Sequence, residues 1–208
     1  MGRITRGLID ELIKGGWLKT PEIINAFRKV KRKDFLPEDA KDLDELNQAL
    51  PIGFGQTISQ PLTVAFMLEL LQPKPGDKIL DVGAGSGWTS ALLAKIVGSK
   101  GKVFAMEIIP ELVEFGKNNV AKYGFLENQI IEFICQSGFE GFEKETPYDK
   151  ILVSASGKEA SEELKKQLKI NGRLVCCIKN SIWLFIKKNK NEFEEKEYPG
   201  FVFVPLVK

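Results

Sequence analysis

The sequence predicts a doubly wound α/β fold built on a mainly parallel sheet, and three observations support this prediction. From Ile79 onward, short apolar runs typical of strands alternate with helical segments, a pattern that favours a parallel sheet. A glycine-rich loop, Gly83–Gly87, separates the first of these strands from the helix that follows. The length of 208 residues fits one α/β domain with a few additional segments. We therefore expect a single domain with an N-terminal helical cap and a C-terminal antiparallel hairpin.

Two short amphipathic helices are predicted before the sheet, over residues 4–15 and 20–30. In the second, Thr20 stands where an N-cap is expected and Pro21 follows at the first helical position, a combination typical of a helix start. A charged segment without clear periodicity then continues to about Ala49, and no regular element is predicted there.

A third helix is expected from Pro61 to about Leu71. Proline is favoured in the first turn of a helix, because its missing N–H has no partner to lose there. Ser59 is the candidate N-cap, since a hydroxyl oxygen can accept a hydrogen bond from a first-turn amide.

The rest of the chain predicts the sheet itself. Strands are expected at residues 78–82, 102–106, 130–135, 149–154 and 172–178, and helices at 88–98, 110–122 and 158–169. Near the C-terminus two apolar runs, Ile182–Ile186 and Phe201–Val204, follow with no helix between them. We expect them to pair as an antiparallel hairpin at the end of the sheet, with the polar run 187–191 as its turn. The glutamates at 192–197 are expected at a solvated edge.

The glycine loop predicts a nucleoside cofactor. Glycine permits positive φ angles and close approach of a ligand, and the helix after Gly87 begins with backbone N–H groups that can face it. The spacing G-x-G-x-G differs from the dinucleotide fingerprint G-x-G-x-x-G. The next strand ends in Glu107, where a carboxylate can accept hydrogen bonds from ribose hydroxyls. Together these features favour S-adenosyl-L-methionine over NAD.

The composition excludes several classes of function. Histidine is absent, so the chain has no His-based metal site, His general base or Ser-His-Asp triad, and we expect no metal. The net charge of +2 gives no strongly basic face, so no nucleic-acid partner is expected.

Cysteine usage and hydropathy indicate the compartment. The three cysteines lie in apolar runs without C-x-x-C spacing, which predicts buried reduced thiols in a cytoplasmic protein: Cys135, Cys176 and Cys177. The N-terminal residues are charged and show no signal-peptide pattern. No apolar run is long enough to span a bilayer, so we expect no membrane association. We also expect the protein to be a monomer.

These features together resemble the protein-L-isoaspartate O-methyltransferase family. Pro51–Pro61 is similar to a segment specific to that family, whereas Asp81–Gly87 matches the wider methyltransferase superfamily. Met106–Val113 resembles the family's second-strand acid and the helix start after it. The resemblance extends from about residue 20 to the end. It implies a Rossmann-like methyltransferase domain over residues 1–208, divided into a helical cap and substrate loop (1–60), a cofactor-binding core (61–180) and a C-terminal hairpin (181–208).

The resemblance implies methyl transfer from S-adenosyl-L-methionine to the α-carboxylate of L-isoaspartyl residues in damaged proteins and peptides. The methyl ester then collapses to a succinimide, which starts the repair. Such a carboxylate has an ordinary pKa of about 3.5 and is ionised at neutral pH. No general base is needed, which agrees with a chain that lacks histidine.

The resemblance also assigns roles to residues. Ser59 is implied as the catalytic residue, a hydrogen-bond donor that orients the substrate carboxylate rather than a nucleophile. A hydroxyl there can also cap the helix. The residues expected to bind substrate are Gln56, Thr57, Ile58 and Val204. Those expected to bind the cofactor are Asp81, Gly83, Ala84, Gly85, Ser86, Gly87, Glu107, Ile108, Ser137 and Gly138.

The chain departs from the family pattern after its third predicted sheet strand. Ser137 stands where the family usually has an aspartate that accepts from the adenine amino group. A neutral acceptor is expected to weaken cofactor affinity by about 1–2 kcal/mol. Two alternatives remain open: a relative that methylates Asp in one dedicated peptide partner, and a non-catalytic S-adenosylmethionine-binding module. Methylation of a nucleic-acid base is disfavoured because Ser154–Ser156 replaces the expected Asp/Asn-Pro-Pro-aromatic sequence.

Overall fold

The N-terminal part of the molecule is a helical cap followed by a small hairpin. The computed structural model describes residues 7–205. The first elements are α1 (Leu8–Lys14), α2 (Pro21–Lys29), 3-10 helices at Arg32–Phe35 and Glu38–Leu43, β1 (Leu50–Gly53), β2 (Gln56–Ile58) and α3 (Pro61–Leu71). The helices predicted at 20–30 and 61–71 are thus present, and the part of the 4–15 prediction before residue 7 lies outside the described residues.

The remaining elements form a seven-stranded sheet flanked by helices. They are β3 (Lys78–Val82), α4 (Trp88–Val97), β4 (Lys102–Glu107), α5 (Pro110–Ala121), β5 (Ile131–Cys135), β6 (Tyr148–Gly157), α6 (Glu162–Lys166), β7 (Leu168–Ile178), β8 (Ser181–Lys187) and β9 (Phe193–Pro199). The strand order is β5-β4-β3-β6-β7-β8-β9, in which the first five strands are parallel and β8 and β9 are antiparallel. The predicted doubly wound, mainly parallel fold is confirmed.

Apolar side chains alternate between the two faces of this sheet. Along β3, Ile79 packs into a core formed with α2, α3, α4 and α5, whereas Leu80 packs into a second core with α6. This alternation is the two-residue period of a strand buried on both faces. Within residues 7–205, no helix is both long and apolar enough to cross a bilayer.

The hairpin β1–β2 lies in a segment for which no strands were predicted. Leu50 pairs with Ile58, and the turn at Gly53, Phe54 and Gly55 has φ angles of 90°, 53° and 70°. Glycine readily adopts the positive φ angles at Gly53 and Gly55, whereas Phe54 between them takes a left-handed conformation that bulky residues rarely adopt. The strands have only four and three residues, too few for an alternating pattern to be recognised.

The helix predicted at 158–169 is wrong in its bounds. Its observed length is five residues, beginning after Ser161, whose hydroxyl accepts a hydrogen bond from Leu164 N. The chain then enters β7, where Leu168 pairs with the fully buried Tyr148 of β6. Pairing with a neighbouring strand therefore overrides the local preference for helix at the end of this segment.

The C-terminal hairpin is present, but the prediction of its second strand is wrong. β8 pairs with the charged strand β9 rather than with Phe201–Val204, and residues 188–192 form the turn. Because β9 is an edge strand, its glutamates and lysine remain in solvent, so an apolar run is not required there. The segment 201–204 leaves this edge and crosses to β6, where Ser156 N donates to Val204 O at 2.8 Å.

Other local predictions are also corrected. Thr20 precedes α2 as predicted, but its hydroxyl donates to Glu69 Oε2 at 2.7 Å instead of capping the helix.

Of the cysteines, Cys176 and Cys177 are buried, whereas Cys135, at the end of β5, is exposed. All three are free thiols, and burial raises the pKa of Cys176 to about 12.

Candidate active site

A cavity of about 410 Å³ opens at the carboxyl ends of β3, β4 and β6. At this point the chain runs outward from β3 to β4 and β5 and then returns to the other side of β3 with β6. Ligands of open α/β sheets bind at such switch points, and the volume lies within the range of small-molecule sites. The cavity is the candidate active site.

The glycine loop forms one wall of the cavity. Gly83 and Gly85 adopt φ angles of 81° and 52°, and both line the cavity with Ala84 and Ser86. The amides of Gly83 and Ala84 donate to Met106 O at 2.9 and 3.0 Å, so the loop is fixed to the neighbouring strand. The loop backbone therefore lines the cavity, and α4 begins directly after it with amides that have no partner within the helix.

Glu107 is held at the end of β4 by backbone amides. Its Oε1 accepts from Ile108 N at 2.8 Å and from Ile109 N at 3.0 Å, and its Oε2 accepts from Gly85 N at 2.9 Å. The residue is buried, yet it lines the cavity. A carboxylate has about four acceptor positions, so an oriented Glu107 can still accept from a ligand hydroxyl.

Asp81 lies behind the glycine loop rather than in the cavity lining. Its side chain is fully buried, and Oδ2 accepts from Ser90 Oγ at 2.6 Å. Burial raises the pKa of Asp81 to about 7, opposed by the Ser90 hydrogen bond and reinforced by the nearby Glu107 charge. Asp81 thus connects β3 to α4 and supports the loop between them.

Gly87 also lies behind the loop, at the N-cap of α4, with a φ angle of 83°. A Cβ atom added there would lie 3.1 Å from Gly116 O of α5. This glycine is therefore required both by its backbone conformation and by the close packing of α4 against α5.

At the end of β5, the cavity is lined by residues on either side of Ser137. Gln136 and Gly138 line it, and the Ser137 hydroxyl accepts from Phe139 N at 3.4 Å. A side chain at Gly138 would collide with Val82, so only glycine allows the chain to pass this close to β3. This is the cavity end farthest along the sheet from β6.

A second wall comes from β2, Ser59 and the C-terminal segment. It contains all five residues predicted on the substrate side: Gln56, Thr57, Ile58, Ser59 and Val204. Sequence reasoning missed several further lining residues: Trp88, Thr89, Ile109, Pro110, Gln136, Ser154, Ala155 and Pro205. Their positions at strand ends and helix starts near the switch point are the signal that could have identified them.

Ser59 is not the N-cap of α3, so that prediction is wrong. The cap position belongs to Gln60, and Leu62 N donates instead to Asn47 Oδ1 at 3.0 Å. No group within residues 7–205 forms a hydrogen bond with the Ser59 hydroxyl. The hydroxyl is therefore available to a ligand.

Across residues 7–205, no group of three or more histidine, cysteine, aspartate or glutamate residues is placed to hold a metal ion. The polar groups that face the cavity are hydroxyls, amides and the Glu107 carboxylate, a set suited to an organic ligand rather than to a metal ion.

Comparison with known proteins agrees with this geometry. Residues 3–208 match the family model described as protein-L-isoaspartate(D-aspartate) O-methyltransferase. A protein-L-isoaspartate O-methyltransferase from Methanopyrus kandleri is 39% identical, over 99% of this chain and 92% of its own length. A second from Archaeoglobus fulgidus is 43% identical, over 89% of this chain and 84% of its own length.

Comparison with solved structures indicates the same family. A crystal structure from Plasmodium falciparum, assigned to the protein-L-isoaspartate O-methyltransferases and in complex with S-adenosyl-L-homocysteine, superposes with a TM-score of 0.86. Its sequence is 25% identical, and the match covers 96% of each chain. With a full-length family match, close relatives over nearly the whole chain and a cavity at the switch point, the chain belongs to the protein-L-isoaspartate(D-aspartate) O-methyltransferase family.

Proposed function

We propose that this protein transfers a methyl group from S-adenosyl-L-methionine to the α-carboxylate of L-isoaspartyl residues in damaged proteins and peptides, and so initiates their repair through a succinimide. The observation that carries the proposal is a single cavity with two chemically different walls. The glycine loop and Glu107 form one wall, and the segment Gln56–Ser59 forms the other with Val204.

The first wall fits the cofactor. Gly83 and Gly85 bring backbone close to the cavity, and the fixed Glu107 carboxylate can accept hydrogen bonds from ribose hydroxyls. Gln136 and Gly138 would then lie toward the base. When bound, S-adenosyl-L-methionine supplies a methyl group on a positively charged sulfur.

The second wall fits the substrate carboxylate. The Ser59 hydroxyl can donate to one carboxylate oxygen and leave the other free to attack. A carbon–oxygen bond forms as the carbon–sulfur bond breaks, and the two opposite charges are lost together. No proton moves, so the contribution of this chain is alignment and exclusion of water.

A second cavity supports a polypeptide substrate. Its volume is about 340 Å³, it shares Thr57, Ser59, Ser154 and Val204 with the first, and it continues along residues 200–203. Ser59 thus lies between a cavity suited to the cofactor and one that can receive a chain. An extended peptide can pair with an exposed backbone segment in this region.

The test is methyl transfer from labelled S-adenosyl-L-methionine to a peptide containing one L-isoaspartate. We expect turnover on this peptide, none on its normal-aspartate twin, and a kcat reduced about 10- to 100-fold in Ser59→Ala, because the carboxylate loses its orienting donor. Binding of S-adenosyl-L-homocysteine, measured by calorimetry, serves as the control and should persist in the variant. Turnover on the aspartate twin would instead favour a dedicated peptide partner, and binding without turnover would favour a non-catalytic module.

The proposal includes a monomer acting in the cytoplasm. A single chain supplies both walls of the cavity, so no second copy is needed to complete it. Free cysteines, two of them buried, are typical of proteins in reducing compartments. Sedimentation of the protein at micromolar concentration tests the oligomeric state.

A further inference from the structure

Arg32 is a buried cation that bonds to backbone rather than to a carboxylate. Only 6% of the residue is exposed, and it forms no salt bridge within residues 7–205. Its guanidinium donates to four carbonyl oxygens, those of Asp44 (3.3 Å), Leu46 (3.0 Å), Gln48 (2.7 Å) and Ser59 (3.3 Å). Burying the guanidinium removes its charge from water at a considerable cost in free energy, which these hydrogen bonds must offset.

Two of these contacts join the ends of the β1–β2 hairpin. Nη2 of Arg32 donates both to Gln48 O, just before β1, and to Ser59 O, just after β2. The nearest strand pair is Leu50 with Ile58, so the guanidinium closes the open end of the hairpin. Hydrogen bonds from a charged donor are stronger than neutral ones, and they fix the main chain of Ser59 directly.

The same guanidinium also contacts the cofactor wall. Its central carbon lies 5.6 Å from the centre of the Trp88 ring, and Trp88 is the first residue of α4 and lines the cavity. Burial lowers the pKa of Arg32 to about 10, so it remains charged at neutral pH. A charged Arg32 therefore touches both walls of the active site, although it lines neither.

We propose that Arg32 is a positioning residue for methyl transfer, which holds the Ser59 segment at a fixed distance from the cofactor wall at Trp88. The inference rests on the proposed function and adds a residue that does not itself contact a ligand. In-line transfer is sensitive to the separation of donor and acceptor, and a displacement of about 1 Å can lower the rate about 100-fold.

The competing explanation is that Arg32 only stabilises the fold. Lys187 of β8 provides a matched control, because it is also a buried cation, 7% exposed, that donates to backbone carbonyls. Its Nζ bonds to Lys165 O, Lys166 O and Leu168 O at 3.3, 2.9 and 2.8 Å, and it does not line the candidate site. Loss of either cation removes the donor to several backbone carbonyls, but of the two only Arg32 touches the active-site walls.

The experiment compares Arg32→Gln, Arg32→Lys and Lys187→Gln with the wild type, below the unfolding midpoint of every variant. We expect Arg32→Gln to lower kcat on the isoaspartyl peptide about 10- to 100-fold, with a smaller change in S-adenosyl-L-homocysteine affinity. Arg32→Lys should recover part of kcat, because lysine keeps the charge but reaches fewer carbonyls. Lys187→Gln should lower the unfolding midpoint and keep the wild-type kcat.

Several outcomes would overturn the inference. It fails if both Arg32 variants keep the wild-type kcat, or if Lys187→Gln loses as much activity as Arg32→Gln. Should Arg32→Gln fail to fold, Arg32→Lys alone tests the inference. A wild-type kcat in Arg32→Lys would show that the hydrogen bonds from the guanidinium to the four carbonyls do not affect turnover, and would overturn the inference. A wild-type protein without turnover overturns the proposed function and this inference together. An active wild type whose Arg32 variants keep the same kcat overturns the inference alone.

Discussion

Asp81 of β3 and Glu107 of the neighbouring strand β4 are two carboxyl groups in different environments. Glu107 accepts three backbone amides and lines the cavity, whereas Asp81 accepts one hydroxyl and is fully buried behind the loop. A buried carboxylate with few donors favours its protonated form. The protonation of Asp81 is therefore linked to folding.

This linkage predicts a pH dependence of stability. Folded Asp81 keeps its proton up to about pH 7, whereas the ordinary pKa is 3.8. Between these values the folded state binds more protons than the unfolded state, so the Asp81 contribution to the free energy of unfolding decreases as the pH rises. Asp81→Asn removes this titration, and the variant should gain stability relative to wild type from about pH 4 to about pH 7. Urea unfolding of both proteins across that range is the measurement, and a pH-independent difference would contradict the prediction.

At the scale of elements, the β1–β2 hairpin carries the substrate wall. Its turn depends on glycine, since Gly53 has a φ angle of 90°. A Cβ atom added there would meet no atom within 4 Å, so an alanine is opposed by backbone strain alone. A change at Gly53 therefore tests the shape of the hairpin without introducing a clash.

We predict that Gly53→Ala lowers kcat/KM for the isoaspartyl peptide by more than its loss of stability alone would cause. Left-handed backbone is unfavourable for alanine by about 1–2 kcal/mol, and relaxation of the turn would shift Gln56 and Thr57. Gly76→Ala is a matched control, because Gly76 has a φ angle of 86° with equally open space and does not line the cavity. Both variants should lose similar stability in urea. Equal kcat/KM values for the two would count against a role for the hairpin's shape.

The elements also show what local sequence can predict. The prediction of β3 at 78–82 matches the structure because its apolar residues Ile79, Leu80 and Val82 lie close together and turn residues flank them on both sides. β9 was not predicted because an edge strand is stabilised by its partner's backbone and can be charged throughout. The end of α6 was wrong for a related reason, since Leu168 follows the pairing of Tyr148 rather than its own propensity.

For the site, sequence reasoning was most informative where chemistry is concentrated in one segment. The glycine loop, Glu107 and residues 56–59 are contiguous motifs, and the structure brings them together in one cavity. Arg32 could not be identified in the same way, because its role depends on carbonyl groups at residues 44–59. Backbone acceptors have no signature in sequence.

At the scale of the whole molecule, the cap is attached to the core by a second polar contact besides Arg32. Tyr123, which follows α5, donates to Asp34 Oδ2 at 2.6 Å and accepts from Lys31 N at 2.8 Å. Lys122 Nζ also donates to Asp34 O at 2.7 Å. These groups join the 3-10 helix that contains Arg32 to the core, and none of them lines the cavity.

We predict that Tyr123→Phe lowers the free energy of unfolding by about 1–2 kcal/mol and leaves kcat unchanged. The Lys31 amide and the Asp34 carboxylate lose a partner, but no residue of the active site does. Tyr198→Phe is the control, since the Tyr198 hydroxyl has no hydrogen-bond partner within the described part of the chain. Chemical denaturation measures the stability change, and a large loss of kcat in Tyr123→Phe would show that cap attachment governs turnover.

The charged edge strand β9 has a consequence for an enzyme that meets misshapen chains. Substrates with rearranged backbones are often locally unfolded, and such chains readily add to any open sheet edge. β9 offers a long edge, but its exposed Glu194, Glu195 and Glu197 make it a poor template for apolar strands. Pairing of substrate polypeptides with this edge is therefore disfavoured, and under the proposed function the cavity beside Ser59 and Val204 would receive an extended chain instead.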